Sequence, residues 1–155
     1  NHILGGGVFT SRLFQEVREK RGLAYSVGTG LVSLRAAAMT WGFTATKNER
    51  VVEALDVIAA EIDKLKTDGP SEEELTKAKA YLAGSYPLAF DTSTKIAQQL
   101  AQIAFEGLGI DYITRRNALV SAVTREDVMR AATRVLGDGR MLVVVAGRPE
   151  GLTGG

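Results

Sequence analysis

Residues 9–27 read FTSRLFQEVREKRGLAYSV, and the fold of the whole chain follows from how this stretch is parsed. Phe9, Leu13, Phe14 and Val17 recur at helical spacing and predict a helix packed by one apolar face. It runs out through Arg18, Glu19, Lys20 and Arg21 and stops at Gly22, which can take a left-handed cap conformation without a Cβ penalty. After Leu23 the chain re-emerges as a strand whose first large side chain is Tyr25. Helix, tight turn and strand therefore bring one guanidinium, Arg18, and one phenol, Tyr25, to the same end of a sheet. Three glycines, Gly5 to Gly7, lie just upstream.

Upstream of this corner, Ile3 and Leu4 before Gly5 suit the last turn of a helix meeting its glycine stop. Thr10 or Ser11 is the expected N-cap of the first full helix, which reaches about Arg21. Downstream, residues 24–33 predict a strand with Tyr25, Val27, Thr29 and Leu31 on one face. The glycines at 28 and 30 let something approach that strand closely. Residues 38–46 alternate cleanly, with Met39, Trp41, Phe43 and Ala45 on one face and Thr40, Gly42, Thr44 and Thr46 on the other, as in a half-buried antiparallel strand. Residues 34–37 are short enough to close a hairpin between the two.

The rest is mostly helical. Asn48 caps a helix to about Thr67, with Val51, Leu55, Ile58, Ile62 and Leu65 as its buried stripe. Asp68-Gly69-Pro70 breaks it, and Ser71-x-x-Glu74 has the spacing of a capping box. The next helix turns Leu75, Ala78, Leu82 and Tyr86 inward, until Pro87 ends or kinks it. A further helix is capped at Asp91 or Thr92, carries Ile96, Leu100, Ile103 and Ala104 inward, and closes at Gly107 or Gly109. A short one runs from Asp111 to about Leu119. The last opens at Thr124-x-x-Asp127, with Val128, Ala131, Ala132 and Val135 inward up to Gly137. Met141 to Ala146 is a continuous apolar run that predicts a strand, and the tail from Gly147 is expected to be mobile at its end. No period relates the helices, which excludes a repeat array. The class is α+β: an antiparallel or mixed sheet covered on one face by helices, in a single domain over residues 1–155. Three strands are few for this much helix. We therefore read the first residues as a cut end, with an opening strand missing before Asn1.

Composition narrows the chemistry. With 19 basic and 18 acidic residues the net charge is +1, too small a field to recruit nucleic acid or an acidic membrane. There is no cysteine, so no disulfide, thiol nucleophile or cysteine zinc site, and one histidine, His2. A catalytic zinc needs three protein ligands, usually with two histidines. A Ser-His-Asp triad is not expected, because His2 lies on a terminal stub, and no Gly-Lys-Ser/Thr follows the glycines to make a phosphate cradle. Glu72, Glu73 and Glu74 read as a solvated helix face. Taken alone, Arg18 reads as a helix-end cation complementing the helix dipole, and Tyr25 as a half-buried ring with a wet hydroxyl.

Gly5-Gly6-Gly7, then Ser11-Arg12-Leu13-Phe14, then Val17-Arg18-Glu19-Lys20-Arg21-Gly22-Leu23-Ala24-Tyr25-Ser26 together resemble the C-terminal homologous domain of the pitrilysin-type zinc metallopeptidases, the family of insulin-degrading enzyme and the mitochondrial processing peptidase. The order of elements agrees over nearly the whole chain. In that family two homologous domains enclose a peptide. One carries the zinc; the other supplies an Arg and, seven residues on, a Tyr that reach toward the substrate. The resemblance implies a processing-peptidase-like, non-zinc domain with those roles at Arg18 and Tyr25, and with Gly5, Gly6 and Gly7 as a loop lining the chamber. It implies no metal ligand here, zinc in a partner domain or subunit, and a peptide substrate. Such a chain is inactive alone, and it can self-associate through an exposed sheet edge. The alternative reading is a non-catalytic structural or assembly subunit of the same fold. A free-standing peptide-binding module using a strand edge is a third. Exported bacterial relatives point to the periplasm.

Overall fold

The computed structural model describes residues 1–7, 9–34, 37–137 and 141–152. Two strands, β1 (Ala24–Ser33) and β2 (Ala38–Thr46), form an antiparallel hairpin, closed by a bond from the Leu34 N–H to the Ala37 carbonyl. Five helices follow: α1 (Val51–Thr67), α2 (Glu72–Gly84), α3 (Ser93–Phe105), α4 (Tyr112–Ala122) and α5 (Arg125–Leu136). Two π-helical segments, His2–Gly6 and Phe14–Glu19, precede the hairpin. The core forms where these segments, α1 and α5 meet the base of the hairpin. Leu4, Leu13, Val17, Leu23, Val27, Ala54, Ile62, Leu65 and Ala132 make one buried cluster there. The α+β class expected from the sequence is the class observed.

The helix signals place most boundaries well. Ser71 and Glu74 make a complete capping box on α2, as do Thr124 and Asp127 on α5. Thr92 caps α3, and α5 ends at Gly137, whose φ is +49°. Gly69, at φ +71°, turns the chain between α1 and α2. Two arginines clamp that turn from outside it. Arg12 gives a bidentate pair to Glu74 (2.7 and 2.8 Å) and a bond to the Gly69 carbonyl (2.8 Å). Arg125 donates to the carbonyls of Pro70 (2.8 Å) and Asp68. The first helical stretch, the turn, α2 and α5 are thereby tied together by charge-assisted bonds, the strong class of hydrogen bond.

Several local expectations fail, each for a physical reason. Gly5 does not stop a helix: Gly5 and Gly6 lie inside the His2–Gly6 turn. Gly5 is needed for close packing, since a Cβ there would fall 2.7 Å from the Thr29 Oγ1 and 2.9 Å from the Thr29 nitrogen. Ser11 caps nothing with its side chain. Its Oγ is buried without a partner, while its N–H bonds back to the Gly7 carbonyl (2.8 Å). Asn48 does not cap α1 directly. It opens a short 3₁₀ turn, Asn48–Arg50, and its side-chain oxygen accepts from the Arg148 N–H (3.2 Å). In α1, Val51, Ile62 and Leu65 of the expected stripe are buried, but Leu55 and Ile58 are only half-buried and Ala54 is fully buried. In α5, Val135 is exposed.

The sheet departs further. Residues 141–146 form no strand: the apolar run carries β propensity, but pairing requires a neighbouring edge. The tail beyond it is tethered at residues 148–150 by bonds to Asn48, whereas residues 153–155, at the end expected to be mobile, lie outside the described residues. Residues 35 and 36 of the expected hairpin loop do as well. The apolar face of β2 is also not half-buried; Met39, Trp41 and Phe43 stand open. Gly28 and Gly30 do not leave room for a ligand. Their missing side chains are replaced by the rings of Phe43 and Trp41, which lie across β1: a Cβ would meet them at 3.1 and 2.5 Å.

Candidate functional site

The Arg–Tyr corner is built by two irregularities, one in each element. In the hairpin, Ala24 pairs with Thr46 and Ser26 with Ala45, so Tyr25 is the extra residue of a β-bulge. A bulge leaves one residue unpaired and re-aims its side chain. The consequence contradicts the expected alternation: Val27 is buried while Tyr25 is 83% exposed. Strict period-2 alternation places Tyr25 on the face of Val27. The bulge turns it out instead, toward the preceding helix.

In that helix the winding opens at Phe14–Glu19, with the Lys20 N–H bonding to the Gln15 carbonyl (2.9 Å). The end is closed by the Gly22 N–H on the Arg18 carbonyl (2.9 Å) and the Leu23 N–H on the Val17 carbonyl (2.8 Å), a wide form of the usual glycine stop. Gly22 sits at φ +58°, as its role in the turn requires. The Leu23 carbonyl then accepts from the Thr46 hydroxyl (2.5 Å). Both backbone groups of Leu23 are thus occupied, and the turn from Arg18 to Tyr25 is held at each end.

Arg18 and Tyr25 stand side by side. The Arg18 Cζ lies 5.7 Å from the Tyr25 ring centroid and 4.8 Å from that of Phe14. The neighbouring cations are committed elsewhere. Lys20 (2.6 Å) and Arg21 (2.5 Å) both clasp Glu16, and their hydrogen bonds, Lys20 first, hold its carboxyl below the usual carboxylate range. The nearest carboxylate oxygen to Arg18, on Glu19, is 4.0 Å from its Nε, too far for a hydrogen bond. Among the described residues the Arg18 guanidinium therefore keeps its donors free. On its other side Tyr25 borders an open cleft together with Thr46, Lys47 and Arg50.

Gly5, Gly6 and Gly7 stand apart in conformation from the loop expected of them. Gly5 and Gly7 are buried and only Gly6 is exposed. The residues present do not fit a zinc site: His2 stacks on Tyr81 (centroids 4.9 Å apart), and among the described residues no group of three His, Cys, Asp or Glu side chains is placed to hold a metal. Two contributors escaped the sequence reading. Arg12 enters the sequence analysis only within the Ser11–Phe14 motif, because its Glu74 and Gly69 partners lie 57 and more residues away. Phe14 is legible from its period only as core, although its spacing of four from Arg18 is a usable signal.

The chain is thus an α+β domain that sets the Arg18 guanidinium beside the exposed phenol of Tyr25. Residues 1–82 match the family described as the peptidase M16 inactive domain, and the chain belongs to that family. It is 31% identical over 148 residues to an uncharacterized zinc protease of Streptomyces coelicolor, a match covering 94% of this chain and 31% of that protein. Among solved structures, the peptidase M16 inactive domain from Pseudomonas fluorescens aligns at TM-score 0.78 and 33% identity, over 88% of this chain and 32% of that one. A chain of complex III2 from Candida albicans shares the fold at TM-score 0.67 and 17% identity, over 79% of this chain and 29% of that one. The chain thus spans about a third of the length of the curated relatives it matches. No helix of the described residues is long and apolar enough to cross a membrane.

Proposed function

We propose that this chain is the substrate-binding, non-zinc half of a zinc-dependent peptidase, working opposite a zinc-bearing homologous domain or subunit. The observation that carries the reading is the bulge at Tyr25, which sets an exposed phenol against the free guanidinium of Arg18. Peptide hydrolysis builds negative charge on the scissile carbonyl oxygen, and a donor fixed beside that oxygen stabilises the transition state more than the ground state. The Tyr25 hydroxyl supplies such a donor. Arg18 holds a neighbouring peptide carbonyl or carboxylate through its planar set of N–H groups. On this reading the glycine turn at Gly5–Gly7 lines the chamber, through Gly6, its exposed member. Neither Arg18 nor Tyr25 activates water, so the chain hydrolyses nothing alone.

The test is turnover in the assembled enzyme. Tyr25→Phe is expected to lower kcat about 10- to 1000-fold, the range for loss of one oxyanion donor, without changing the thermal midpoint. Unaltered turnover in that variant, assayed with the zinc-bearing half present, removes the role. The second reading, a structural or assembly subunit, is favoured by the fold shared with the complex III2 chain. Native capture separates the two: a partner with a zinc site supports the peptidase, and a stable partner without one supports the scaffold.

A further inference from the structure

The Arg18 guanidinium lies against two aromatic rings that differ in exposure. Phe14 is 5% exposed and Tyr25 83%, and a cation gains more from a desolvated ring than from a wet one. The Arg18 Cζ is also nearer Phe14, at 4.8 against 5.7 Å. The ring of Phe9 also meets Phe14 edge-on, with centroids 5.3 Å apart at an interplanar angle of 82°. Residues 14 and 18 both belong to the π-wound segment Phe14–Glu19, where winding opened to i→i+5 brings residues four apart closer to one line than α winding does. We propose that Phe14 is the positioning residue for Arg18. Its ring is a plate that holds the guanidinium by its face beside Tyr25. A carboxylate partner would consume two N–H donors, whereas stacking by the face leaves the in-plane donors available to a peptide carbonyl or carboxylate. The inference rests on the reading that Arg18 contacts the peptide; Phe14 itself touches no substrate.

Two readouts test it separately from that reading. In the ¹⁵N-labelled chain, the Arg18 Nε–H resonance, identified by its loss in Arg18→Lys, is expected upfield of ordinary arginine signals because of the Phe14 ring current. The displacement survives in Tyr25→Ala, which alters only an exposed side chain; it disappears in Phe14→Leu and returns in Phe14→Tyr. In the peptidase assembled with its zinc-bearing half, Phe14→Leu lowers kcat/KM about 5- to 30-fold, the worth of one desolvated cation–π contact. Phe14→Tyr recovers most of that loss, and Phe14→Leu costs nothing further once Arg18 is replaced by Ala. A resonance unmoved in Phe14→Leu, or additive losses in the double variant, overturns the proposal. Should Phe14→Leu not fold, Tyr25→Ala decides alone, because loss of the displacement there assigns the stacking to Tyr25. A normal displacement combined with unaffected turnover in Arg18→Ala leaves the plate standing and defeats the substrate contact.

Discussion

At the scale of single residues, Arg12 ties together parts of the chain that lie far apart in sequence. It reaches Glu74 with two bonds and the Gly69 carbonyl with a third, and its side chain is 15% exposed. Arg12→Ala strips three charge-assisted bonds and is expected to cost about 2–3 kcal/mol, a fall of roughly 5–10 °C in the midpoint for a domain of this size. Calorimetry checks it. The pair also sets a pH dependence. The hydrogen bond from Arg12 is the largest influence holding the Glu74 carboxyl below its ordinary value, with the Ser71 backbone bond adding to it. A carboxylate depressed in the folded state contributes stability that is fully present above its unfolded pKa and lost as pH falls through the folded one. Acid unfolding should therefore steepen below about pH 4.5. Glu74→Gln should flatten that slope by no more than about 1.4 kcal/mol per pH unit, one proton's worth, in denaturant titrations from pH 5 to 3.

At the scale of elements, the glycines show how unequal positions of one residue type are. Gly22→Ala forces a side chain into φ +58° with nothing near it, and should cost about 1–2 kcal/mol by conformation alone. Gly5→Ala drives a methyl into the backbone of β1 at Thr29 and should cost about 1–3 kcal/mol by overpacking. Gly84→Ala, at the open end of α2, should instead gain up to about 1 kcal/mol. Urea midpoints on the three variants give the order. Of these three the sequence gives the right role only to Gly22, because the stop of a helix is a local event written in its own neighbours. The use of Gly5 depends on Thr29, 24 positions on, and no local pattern records it. The same division runs through the other elements. Capping boxes at Ser71 and Thr124 were legible because both partners lie within one turn. The bulge at Tyr25 was not, because it is a property of the pairing between β1 and β2, and strict alternation put the phenol on the buried face. That Arg18 and Tyr25 share one end of the sheet was nevertheless readable, since a glycine-stopped helix running into a strand leaves them little choice.

At the scale of the whole molecule, the hairpin is an unusual surface. Its base is packed into the core through Val27, but Trp41 and Phe43 stack on each other (centroids 5.6 Å apart) while remaining 46% and 49% exposed. Met39 is open on the same strand, and Leu142 and Val144 of the apolar run at 141–145 are almost wholly exposed. Apolar surface of this extent is uncommon on a monomer in water, and a two-stranded sheet also offers unpaired backbone along both edges. We expect the 155-residue chain on its own to self-associate with rising concentration. Sedimentation velocity across a hundredfold range, with Trp41 emission followed in parallel, measures this directly. Emission should shift to the blue as association removes the indole from water. Replacing Trp41 and Phe43 together by Thr keeps β propensity and removes the apolar contact, so the double variant should remain monomeric over the same range. Association that persists in it would assign the contact to the strand edges or to the 141–145 run. Lys substitutions along the outer edge of β2 would then separate the two, because an edge charge blocks strand pairing without altering residues 141–145.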